Sequence, residues 1–102
     1  MSILHIVNKS PFERNSLASC LGHALDGSSV LLFEDGVYGA IKGTSFSDTL
    51  GAAMASRSVY VLGPDLAARG IDESKLVDGV KVVDYAGFVD LSAESDKVQS
   101  WL

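Results

Sequence analysis

Cys20 is the only thiol in this sequence and the side chain best suited to covalent chemistry, since a thiolate accepts a sulfane sulfur or forms a mixed disulfide. Such chemistry needs solvent access and something that lowers the thiol pKa. On a helical wheel built on Leu17 and Leu21, Cys20 falls at the border of the apolar stripe, with Glu13 and Ser16 on its side and His23 one turn later. That position predicts a partly exposed thiol beside a source of positive charge. It also lies late in its helix, too far from the amino terminus for the dipole to activate it. An inert, semi-buried cysteine is the competing reading.

A second group is the set of carboxylates that follow predicted strands: Glu34, Asp35, Asp65 and Asp84. Gathered on one rim they could hold a cation or act as acid and base. Acidic residues at strand ends also cap the helices that follow, which is the simpler reading for Asp65 and Asp84. A phosphoacceptor site needs acidic residues after the first strand as well, where this chain has Asn8 and Lys9. His5 reads as a hydrogen-bonded structural group or a base. Lys9 reads as a solvated lysine or an anion contact. There is no Gly-x-Gly-x-x-Gly, Walker loop or Cys-x-x-Cys, so no cofactor is expected.

The elements that would position these residues follow from periodicity. Val30 to Phe33 is a continuous apolar run, the mark of a strand covered on both faces, and Gly36 follows it with free backbone torsions. Ile3 to Val7 reads as a first strand. Ser10-Pro11-Phe12-Glu13 reads as a capping box opening a helix whose stripe is Leu17, Leu21, Ala24 and Leu25, stopped at Asp26-Gly27. A short helical turn ending at Gly43, a helix from Phe46 to Ala55 capped by Ser45, and a strand from Val59 to Leu62 come next. Pro64 opens a short helix from Asp65 to Arg69, and Val80 to Val83 is a fourth strand. Asp84 caps a helix carrying Tyr85, Phe88 and Leu91. Val98, Trp101 and Leu102 form a last apolar patch, with Trp101 docked on its own domain or on another subunit. The expectation is one α/β domain over residues 1–102: a layered, mostly parallel sheet with helices on both faces.

The chain has 102 residues, 47% of them hydrophobic, enough for one modest core. A chain this small leaves apolar surface that a neighbouring subunit can complete. Thirteen acidic residues against eight basic ones give a charge of −5, and no two basic residues are adjacent, which disfavours direct nucleic-acid binding. No apolar run is long enough for a transmembrane segment, and the amino terminus lacks the pattern of a secretory signal, so the cytoplasm is the expected compartment. A lone cysteine excludes an internal disulfide and a thiolate-rich metal site within one chain.

Taken together, Leu4-His5, Asn8-Lys9-Ser10-Pro11-Phe12, Leu31-Leu32-Phe33-Glu34-Asp35-Gly36-Val37, Val61-Leu62, Asp65-Leu66, Arg69-Gly70, Val83-Asp84-Tyr85, Phe88-Val89 and Trp101 resemble the DsrH/TusB family of sulfur-relay subunits. Because the first helix carries a cysteine, the chain looks most like DsrH of sulfur-oxidising bacteria. The resemblance implies a DsrE-like fold and assembly with paralogous DsrE/TusD-like and DsrF/TusC-like subunits as a heterohexamer. That complex exchanges persulfide sulfur with a DsrC/TusE-like carrier. It further implies an auxiliary role in sulfur oxidation, with Cys20 as the candidate catalytic residue. The alternatives are a purely structural subunit that shapes the complex and docks the carrier, or the tRNA-thiolation branch, linked to tRNA only through the relay.

Overall fold

Val30, Leu31 and Leu32 have no exposed surface, as a strand roofed on both sides requires. In the computed structural model, which describes residues 2–101, they belong to β2 (Ser29–Leu32). This is the middle strand of a five-stranded sheet with β1 (Ile3–Val7), β3 (Ser58–Leu62), β4 (Lys81–Val83) and β5 (Lys97–Trp101). The order is β4-β3-β2-β1-β5, and every neighbouring pair is parallel. The fold is therefore the expected single-domain α/β architecture.

Strands β1 to β4 are laid down in one direction across the sheet. The connections put α1 (Ser16–His23), α2 (Ser47–Ala53) and α3 (Gly63–Ala68) on one face, and the return from β4 to β5 carries α4 (Tyr85–Glu94) over the other, the arrangement that the right-handed rule for parallel crossovers requires. Pleating divides the side chains accordingly. Val7, Val30, Leu32, Val59 and Val61 join Leu17, Leu21, Leu50 and Leu66 in the main core. Leu4, Leu31 and Leu62 are buried on the α4 side. Each such side chain contributes about 1.5–3 kcal/mol by leaving water.

Between β2 and α2 the chain forms a 3-10 helix, Glu34–Ala40, where a short helical turn was expected. At three residues per turn, Gly36 aligns with Gly39 and Val37 with Ala40, and all four are buried. Both glycines are required by contact. A Cβ on Gly36 would collide with the Val7 carbonyl, and one on Gly39 would meet Leu17 and Pro11.

The start of α1 differs from expectation for a related reason. Ser10 closes a turn, its hydroxyl accepting from the Phe12 amide at 3.2 Å and its carbonyl from Arg14 at 3.0 Å. The helix itself begins only at Ser16. Residues six apart lie on different faces of a continuous helix. Seating both Pro11 and Leu17 against Gly39 therefore requires a turn between them. At α2, Thr44 takes the role assigned to Ser45: its hydroxyl accepts from the Phe46 amide at 3.2 Å, and Ser47 donates back to the Thr44 carbonyl at 2.9 Å.

Asp84 caps α4 as predicted, accepting from the Gly87 amide at 2.8 Å. The segment after it is a correction. Lys97–Trp101 is a fifth strand, paired with the outer edge of β1 in the register Ile3 with Lys97 through Val7 with Trp101. Leu102 lies outside the described residues. Trp101 packs on the core of its own domain.

Candidate functional site

Cys20 has no exposed surface and sits in the core with Leu17, Leu21 and Val30. The wheel built on Leu17 and Leu21 placed it at the border of the stripe. In the structure α1 ends at His23, Leu25 is exposed, and the stripe of Leu17, Cys20, Leu21 and Ala24 recentres towards the thiol. Burial pushes the thiol pKa up to about 12, against a smaller opposing pull from the Arg57 guanidinium. His23 is exposed and turned elsewhere: its Nδ1 lies 2.7 Å from the Ser19 carbonyl, and its ring stacks on Trp101 with centroids 5.8 Å apart.

Arg57 is the residue that sequence reasoning missed. It stands between α2 and β3, half-buried, and donates to the Ala24 carbonyl through Nε at 2.9 Å and Nη2 at 2.6 Å. Nη1 reaches the Ala53 carbonyl at 3.5 Å. One guanidinium thus meets the carboxyl-terminal carbonyls of both α1 and α2, where a cation is favoured. A lone basic residue directly after a helix was the available signal.

His5 is buried on the same face as Arg57 acts upon. Desolvation, then the Arg57 charge, lowers its pKa. Its Nδ1 accepts a hydrogen bond from the Trp101 indole at 3.1 Å, so the neutral ring carries its proton on Nε2. Among the described residues that Nε2 is buried without a hydrogen-bond partner, as is Asn8 Oδ1 at the end of β1. An unmet donor of this kind costs about 1–3 kcal/mol. His5 is thus held as a structural group, its other nitrogen unmet among the described residues.

The carboxylates form a structural rim. Asp65 accepts from the Glu34 amide at 2.6 Å, which helps to fix Glu34 at a left-handed φ of 48°. Asp35 is paired with Arg69, and Asp84 caps α4. Asp65, Asp35 and Asp84 are thus each engaged in a structural contact. Among the described residues no three His, Cys, Asp or Glu side chains converge as a metal site. Lys9 is exposed. Three open cavities of about 230, 280 and 450 Å³ flank residues 71–80, lined by groups such as Asp72, Glu73, Val77 and Asp78 and by none of Cys20, His5 or Asp35. No helix among the described residues is long and apolar enough to cross a membrane.

The geometry thus offers a scaffold with its one thiol sealed inside. Comparison with known proteins agrees on its kinship. The crystal structure of the ychN protein from E. coli superposes with a TM-score of 0.87 at 22% identity over 98% of each chain. A protein of unknown function, MTH1491 from Methanobacterium thermoautotrophicum, gives 0.74 at 14% identity over 96% of this chain and 97% of its own. At those identities the likeness establishes the fold. Protein TusB of Photorhabdus laumondii is 31% identical over 101 residues, covering 97% of this chain and 100% of its own. Protein TusB of Escherichia coli K12 is 30% identical over 99 residues with the same coverage. The profile of the family described as "DsrH like protein" matches residues 9–98, and on these grounds the chain belongs to the DsrH/TusB family.

Proposed function

We propose that this protein is an auxiliary, architectural subunit of a sulfur relay, in the branch that thiolates tRNA. Similarity along the whole chain to proteins named TusB carries this reading. It favours tRNA thiolation over sulfur oxidation, the branch that the cysteine in the first helix had suggested. The partners would be TusD-like and TusC-like paralogues, two copies of each subunit forming a heterohexamer, together with a TusE-like carrier. Exposed Tyr85 and Val89 on α4 and Val98 on β5 supply apolar surface for such assembly.

In this reading Cys20 fills the core and does not carry sulfur. To accept sulfane sulfur, its thiolate would attack the outer sulfur of a donor persulfide and expel the donor thiolate. With a pKa of about 12, roughly one Cys20 in 10⁵ is thiolate at pH 7, and none of its surface is open to a donor. The alternative, a sulfur-handling Cys20, needs α1 to open.

The test is reconstitution with the TusD-, TusC- and TusE-like partners and a persulfide donor. Intact-mass analysis should find no +32 Da adduct on this chain, a step of about one sulfur atom, and Cys20→Ala should leave the relay rate within about twofold of native. A persulfide on Cys20 together with a relay that fails in the variant would establish the catalytic alternative. Failure to co-purify with the partners would sink the assembly itself.

A further inference from the structure

The indole of Trp101 and the imidazole of His5, we propose, form a pH-sensitive latch that holds the carboxyl-terminal unit, α4 and β5, onto the sheet. Neither element of this unit contributes a buried residue. Beyond backbone pairing with β1, β5 is moored by Trp101, and the turn before it by the exposed bond from the Ser2 amide to Asp96 at 2.9 Å. A unit with so little buried surface lies at the low end of local stability.

The latch depends on one unprotonated nitrogen. Trp101 Nε1 can only donate, and it donates to His5 Nδ1 at 3.1 Å. A proton on Nδ1 sets donor against donor, while the Nε2 proton remains buried with no partner among the described residues. The charge that bears on the His5 ring is the Arg57 guanidinium; nearby on the same side stand His23 against Trp101, Cys20 in the core and Lys97 on β5. Val30 and Gln99 flank His5 in register. Among the described residues no carboxylate acts on the His5 ring to offset an imidazolium. Burial and the Arg57 charge already hold the docked imidazole below its ordinary 6.5, so an opened unit binds the proton more readily than a docked one. Docking is therefore complete above about pH 6.5 and weakens as pH falls towards the docked value.

Hydrogen exchange on the full chain, with protection factors corrected for intrinsic pH dependence, tests this between about pH 7.5 and about pH 5.5. The expected result is a rise in β5 opening of up to about tenfold per pH unit below 6.5, with β2 unchanged. His5→Gln should flatten that dependence. Trp101→Phe, which keeps an aromatic ring and removes the donor, should lower β5 protection already at the higher pH. Protection that is flat with pH in the native chain, or lost equally from β2, overturns the latch. If His5→Gln does not fold, Trp101→Phe decides, and native-like β5 protection in that variant overturns it.

Discussion

Arg69 grips a single oxygen of Asp35 with two nitrogens, Nε at 3.0 Å and Nη2 at 2.9 Å, while its Nη1 reaches the Asp65 carbonyl at 3.2 Å. The pair ties the 3-10 helix after β2 to the end of α3. Asp35 is about half exposed, so water screens the charge pair. Asp35→Asn should lower unfolding free energy by less than about 1 kcal/mol, and by less still in high salt, as urea titration would measure.

The neighbouring glycine is far less tolerant. A methyl group on Gly36 meets the backbone carbonyl of Val7, which cannot swing aside as a side chain would. Gly36→Ala should cost about 2–3 kcal/mol in the same titration. Gly51→Ala, where the added carbon meets open space, should be neutral or stabilising by up to about 1 kcal/mol.

Cys20 gives stability an alkaline limit. Its folded pKa is raised from 9.0 to about 12, so the thiol's contribution is whole below 9.0 and fades as pH rises towards 12. Unfolding free energy should fall by on the order of 1 kcal/mol per pH unit across that window, and Cys20→Ala should remove this component of the slope. At neutral pH iodoacetamide should label native Cys20 much more slowly than the urea-unfolded chain; equal rates would contradict the burial.

Arg57 joins two helix ends through one side chain. Arg57→Met keeps much of the stem and removes the charge and its hydrogen bonds, and should cost about 1–2 kcal/mol. The same change should raise the pKa of His5, followed by NMR, because a positive neighbour has been removed.

Where the sequence was informative, one physical force dominated. Val30-Leu31-Leu32 is apolar because both faces are covered, and Asp84 before Tyr85 is a cap whose bond is local. Long-range contacts were harder to read. Lys97-Val98-Gln99-Ser100-Trp101 has the polar makeup of an edge strand, and only its pairing to β1 reveals it. The burial of Cys20 depended on where α1 stops, and that boundary is met by Arg57 from 33 residues away. The bond between Trp101 and His5 spans 96 positions, a separation no local pattern encodes.

The sheet order has a consequence for biosynthesis. The outer flank of β1 is closed by a strand translated some ninety residues later, so a nascent chain that has not yet reached Lys97 presents that flank as an unzipped seam. Ribosomal stalling upstream of this point leaves a product whose first strand can recruit foreign polypeptide, and chaperone demand should peak there.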